Sequence, residues 1–156
     1  MKHVAQPWLS IPIRIALGFI FIYSAIPKIV DPPAFAQAIW NYRLVPTLLV
    51  NGLAIILPWL ELISGIALVC GLFRRGAALL VGVMIVVFMA ALLVNLARGN
   101  ALDCGCFSLA AAPKSHEELI AGMRLDVMRD LGILLMVLQV FFTPVTWRSL
   151  SDAGRQ

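Results

Sequence analysis

Four long apolar runs, residues 9–29, 48–72, 77–97 and 131–147, constrain this chain more than any other feature. Most have the length of about 20 residues that a helix needs to cross the hydrocarbon of a bilayer. Lipid leaves no solvent for unpaired backbone N–H and C=O groups, so only helices and closed barrels can span it. The runs lack the alternation of barrel strands and are therefore read as helices. The last run is short, but it extends backwards through residues 126–130 to give a span over 126–147. The expected fold is an all-α membrane protein, an antiparallel bundle of four transmembrane helices forming one domain over residues 1–156. Composition agrees, with 62% hydrophobic and 13% charged residues, against roughly 45–50% and about 25% in soluble domains.

The net charge of +4 raises nucleic acid as a partner, but the twelve Lys and Arg residues are scattered between apolar runs and form no basic face. The lipid bilayer is the expected partner, with no nucleic acid, and the basic residues mark topology. Lys2 and Arg14 precede an apolar stretch as they would in a signal peptide. That stretch is long, lacks an Ala-x-Ala site and runs into Pro27-Lys28, so it is read as a retained first span. Four spans place Lys2, Arg14, Arg74, Arg75, Arg148 and Arg155 on one side, and Lys28, Arg43, Arg98, Lys114, Arg124 and Arg129 on the other. The tie is broken by Arg74-Arg75, packed into a very short turn where the positive-inside rule is most reliable, and by the acidic residues around Arg124 and Arg129. Both termini are thus expected in the cytoplasm and the two longer loops outside.

The first outer segment carries Asp31-Pro32-Pro33 and then a short helical stretch over residues 34–42. Its Phe35, Ile39, Trp40 and Tyr42 suit the headgroup boundary, predicting an interfacial helix after the first span. The second holds Asp103-Cys104-Gly105-Cys106-Phe107 and, further on, Ser115-x-x-Glu118. That spacing is a capping box, which starts a helix leading into the fourth span.

Cys104 and Cys106 lie on the side assigned to the oxidising compartment. Gly105 permits the backbone angles that a one-residue bridge ring demands, and a strained ring of this kind suits exchange better than permanent stapling. Three readings remain: a redox-active dithiol, a local structural disulfide, and a soft-metal site. Structural zinc is disfavoured because one Cys-x-Cys does not fill four positions, and His116 reads as an exposed residue beside the capping box. Cys70 sits near the opposite end of the second span and reads as a small packing residue.

Glu61 falls near the middle of the second span, where an ionised carboxylate is strongly disfavoured. Pro58 precedes it by one turn, and Ser64 and Gly65 make the neighbouring face small enough for close helix approach. One reading is a site for a quinone head or a proton relay, with Glu61 as the acid and Trp59 or Tyr42 as stacking partners. The other is a buried ion pair, with Arg129 as the candidate cation. Arg14 is expected to snorkel to the inner surface, and Asn95 and Gln139 to bond between helices. Phosphate loops, dinucleotide fingerprints, HExxH and nucleophile-elbow motifs are absent from the sequence, and no inverted repeat suggests a self-contained transporter.

Several segments taken together carry a resemblance: 23–32 (YSAIPKIVDP), 35–46 (FAQAIWNYRLVP), 57–62 (LPWLEL) with Gly65, and 103–107 (DCGCF). Over about residues 11–143 the chain resembles the methylamine utilisation protein MauE branch of the DoxX-like membrane proteins. The resemblance implies a four-helix bundle in the bacterial inner membrane. It also implies a role in maturing or exporting a disulfide-rich periplasmic client, the methylamine dehydrogenase small subunit, alongside a thioredoxin-like partner. It places redox chemistry at Cys104 and Cys106 and a polar core at Lys28, Asp31, Asn41, Tyr42, Arg43 and Glu61. The expected function is accordingly an inner-membrane thiol–disulfide relay, with Trp59, Glu61, Tyr42, Arg43 and Lys28 around a carrier such as a quinone. Its rivals are an assembly module with an inert disulfide and a soft-metal transport protein.

Overall fold

The computed structural model describes residues 7–100 and 115–142. Among these residues all regular structure is helical: α1 (Pro7–Val30), α2 (Pro32–Asn41), α3 (Thr47–Cys70), α4 (Arg74–Ala97) and α5 (His116–Phe142). Three helices are long and apolar enough to cross a membrane, over Ile11–Val30, Thr47–Cys70 and Arg74–Ala97. They coincide with the first three expected spans. The expected fourth is not among them, because α5 carries Glu117, Glu118, Arg124, Asp126, Arg129 and Asp130, and residues beyond 142 lie outside the described part.

Local chemistry sets the helix boundaries. Asp31 caps α2, its carboxylate accepting the Ala34 N–H at 3.0 Å, while Pro32 and Pro33 occupy the first positions, where no N–H is needed. The helix therefore begins at the proline pair itself. α3 ends in a left-handed Gly71 at φ +74°, with the Leu72 N–H bonding the Ala67 carbonyl at 3.0 Å. The capping box at α5 forms as the sequence predicts: the Ser115 N–H donates to Glu118 at 2.8 Å and the Glu118 N–H to the Ser115 hydroxyl at 3.3 Å.

α1 packs most extensively on α3, and α4 on α5. The first pair meets at Gly18 and Gly65. A Cβ on Gly65 would lie 2.9 Å from the Gly18 carbonyl oxygen, and one on Gly18 would lie 2.7 Å from that of Gly65. The small face expected around Ser64 and Gly65 is thus a backbone-to-backbone contact. One core cluster joins α1, α3, α4 and α5 around Leu17, Leu68, Val81 and Val137; a second joins Tyr42, Leu92 and Met123. Asn95 bonds across elements as expected, donating to the Tyr42 carbonyl at 3.2 Å. This ties the end of α4 to the end of α2.

Two expectations are corrected. Arg14 does not snorkel: it is 3% exposed, and a methyl on Gly71 would come within 3.1 Å of its Nη1. Its guanidinium sits at the C-terminus of α3, where the helix dipole favours a cation. Cys70 is exposed at the end of α3 and fills no core space.

The cap at Asp31 yields a measurable consequence. Asp31→Ala is expected to cost about 1 kcal/mol, read as faster hydrogen exchange confined to the α2 amides; unchanged exchange there would contradict the assignment.

Candidate functional site

α2 packs against α3 and, less extensively, α1, and all five helices contribute to the lining of a cavity of about 380 Å³. The lining is chiefly apolar, including Phe21, Phe35, Leu57, Val83, Phe88 and Ile133, with a polar set formed by Ser24, Lys28, Tyr42, Glu61, Arg129 and Asp130. A few polar groups converging on an apolar hollow of this size are typical of small-molecule sites, which run from about 300 to 1,000 Å³.

The polar groups arrive on buried helix stripes. On α1, Leu17, Phe21, Ser24 and Lys28 follow one another at spacings of three and four and are all buried. On α3, Ala54, Pro58, Gly65 and Leu68 form the buried face, with Glu61 in the same series. On α5 the stripe is Asp130, Ile133, Val137 and Val140. Each charge occupies a position that a plain bundle would give to an aliphatic side chain.

Lys28 is Glu61's cation. Its ammonium donates to both carboxylate oxygens at 2.7 Å and to the Ser24 hydroxyl at 3.0 Å. The two side chains are 6% and 13% exposed. With three N–H groups and three acceptors, the ammonium's donors are fully committed. The Phe35 ring covers it, 5.2 Å from nitrogen to centroid.

The expected pairing of Glu61 with Arg129 is therefore corrected. Arg129 serves its own helix, reaching Asp126 at 2.8 Å and Asp130 at 3.0 Å. Its Nε also donates to Oδ1 of Asp130 at 3.1 Å.

Of the residues singled out in the sequence, Lys28, Tyr42 and Glu61 share the cavity wall, and the Tyr42 ring packs against Phe88 at 5.9 Å between centroids. Trp59 is 51% exposed and lies outside the lining. Residues two apart on a helix point to different faces, so proximity in sequence to Glu61 does not bring its ring to the site. Arg43 is exposed too, at a left-handed φ of +51° that turns the chain out of α2. Asp31 caps α2 and Asn41 accepts from Gln37 on its exposed side at 3.0 Å. Cys104 and Cys106 lie outside the described residues. Asp130 is the site residue that sequence reasoning missed; its place in the 130, 133, 137, 140 series was the available signal.

The sequence pattern of the family described as methylamine utilisation protein MauE matches residues 6–143. The chain belongs to the MauE family. It is 38% identical over 108 residues to the methylamine utilization protein MauE of Methylorubrum extorquens, covering 69% of this chain and 58% of that protein. The MauE of Methylophilus methylotrophus is 32% identical over 149 residues, 95% of this chain and 75% of the relative. Protein TlpB of Flavobacterium psychrophilum is 32% identical over 117 residues, 69% of this chain and 31% of its own length. The chain thus spans little more than half of the first relative. No solved structure matches it. Family membership and three membrane-length helices together make this MauE chain a multi-pass membrane protein.

Proposed function

We propose that this chain is a membrane thiol–disulfide relay serving methylamine utilisation, the process named in its relatives. The observation that carries the reading is where the thiol-bearing segment is anchored. Asn100 is held to Asn95 at 3.2 Å, and Asn95 to the Tyr42 carbonyl at the cavity wall. On the other side of the segment, Met123 of α5 packs in the same cluster as Tyr42 and Leu92. Both flanks of the Cys104-Gly105-Cys106 segment therefore belong to the end of the bundle that holds the cavity.

In this reading α5 and the residues after it form the fourth span of a single four-helix domain over residues 1–156. Both termini face the cytoplasm, and the thiol pair faces the periplasm across a bacterial inner membrane. One of Cys104 or Cys106 forms a mixed disulfide with a thioredoxin-like partner and the other resolves it. The client is a disulfide-containing periplasmic protein such as the methylamine dehydrogenase small subunit. Oxidising a dithiol to a disulfide releases two electrons and two protons, which this chain passes to a lipid-soluble carrier of the quinone class. Lys28, Glu61 and Tyr42 form the polar wall of the carrier's site; Trp59 and Arg43 lie outside that wall and act at the surrounding surface. The residues fit such a carrier, because an apolar hollow with aromatic sides and a few polar groups suits a flat ring bearing oxygens.

The test is thiol trapping in membranes. Cys106→Ser or Cys104→Ser is expected to accumulate a mixed disulfide with the partner, identifiable by mass. Each variant is also expected to abolish client oxidation, whereas Cys70→Ser leaves it intact. Full activity in the double serine variant, or a pair that stays oxidised at every redox poise, overturns the relay.

A further inference from the structure

Asp130 is only 5% exposed, lines the cavity and has no hydrogen-bond partner for Oδ2 among the described residues. Its other oxygen takes both contacts from Arg129, at 3.0 and 3.1 Å. With Asp130 ionised beside the Arg129 guanidinium, which donates to Oδ1 through both of these bonds, Oδ2 is an acceptor without a donor among the described residues. Burying such an atom unpaired is strongly disfavoured, and a donor inside the cavity relieves it. Among the described lining residues both cations are engaged: Lys28 is committed to Ser24 and Glu61, and the Arg129 guanidinium to Asp126 and Asp130. The Tyr42 hydroxyl both donates and accepts, so it does not discriminate. The remaining lining adds the faces and edges of Phe21, Phe35 and Phe88, which suit a flat ring.

We propose that the cavity binds a membrane-soluble aromatic diol, which donates a hydroxyl to Oδ2 of Asp130, and holds it in preference to the corresponding dione. A dione has only acceptors and would face Oδ2 with a second lone pair. The inference rests on the reading of the cavity as the carrier's site, and it gives that site a direction. Each tenfold preference for the reduced form raises the potential of the bound couple by about 30 mV. Electrons are therefore drawn from the thiol pair: two thiols become one disulfide, and their two electrons and two protons convert the dione to the diol. The chain acts as an oxidant of its client.

The experiment uses the full chain in lipid nanodiscs under anaerobic conditions, with a decyl-substituted benzohydroquinone and the matching benzoquinone as probes, followed by titration calorimetry. The diol is expected to bind at least about tenfold more tightly, the scale of one hydrogen bond to a charged group. Asp130→Asn is expected to remove that preference by weakening the diol while leaving the dione within about threefold. Ala91→Phe, on an apolar part of the wall, is expected to abolish binding of both probes with helix content retained, which keeps the inference open to refutation if Asp130→Asn does not fold. Equal or tighter dione binding, no binding of either probe, an unchanged preference in Asp130→Asn, or tighter binding of decylammonium than of the diol overturns it. The Cys104→Ser/Cys106→Ser double variant keeps both affinities. Loss of relay activity with diol preference intact thus counts against the relay alone, and loss of preference with thiol exchange intact counts against this inference alone.

Discussion

Lys28→Met is expected to destabilise the folded bundle by about 3–5 kcal/mol, the cost of removing one partner from a buried ion pair. The substitution keeps an unbranched side chain of similar length, so little packing is lost. What remains is the Glu61 carboxylate, 13% exposed, with its 2.7 Å cation gone. The Phe35 ring that covers the ammonium offers a carboxylate no compensation, since its face is negative. Changing both partners, Lys28→Met with Glu61→Leu, is expected to recover most of the loss, because apolar replacement of a buried pair is often neutral. Equilibrium unfolding in mixed micelles provides the measurement. A double variant as unstable as Lys28→Met alone would show that the pair itself, not the stranded charge, sustains the fold.

The second large effect is expected where α1 meets α3. Gly65→Ala puts a methyl 2.9 Å from a carbonyl oxygen of Gly18 and equally close to Ile22, and Gly18→Ala puts one 2.5 Å from Val69. The Ile22 and Val69 side chains can rotate away, but the backbone oxygens cannot. The helices must separate, which costs about 1–3 kcal/mol for either variant. Once they have moved apart, the second methyl meets less resistance, so the double variant is expected to lose clearly less than the sum. Gly52→Ala and Gly132→Ala are the controls, since none of the described residues lies within 4 Å of a Cβ at either position. They are expected to be neutral or to gain up to about 1 kcal/mol from helix propensity. Additive losses at positions 18 and 65 would rule out a shared contact.

Much of this fold is legible in the residues because lipid leaves so few choices. Runs 9–29, 48–72 and 77–97 had to be helices, and α1, α3 and α4 follow them to within a few residues. The capping box at Ser115 and the helix after Asp31 were readable because the groups that satisfy each helix start are adjacent in sequence. The site was harder to read, since its geometry depends on rotation about each helix axis. Lys28 falls at the outer end of the first run, just after a proline, where it counts as a topology marker. In fact the proline removes one donor but still accepts from the Asp31 N–H at 3.1 Å, so α1 continues and Lys28 stays on the stripe begun by Leu17. Glu61 announced itself by its depth, but its partner could not be chosen without knowing that α1 lies beside it. Arg129 had nearer carboxylates on its own helix, and helical neighbours three or four residues away compete strongly for a long side chain.

The three residues that join α3 to α4, 71–73, leave no slack between two membrane-length helices. Arg14 lies against that bend, so one guanidinium fastens the first helix to the corner between the next two, and the seat of that charge exists only where all three meet.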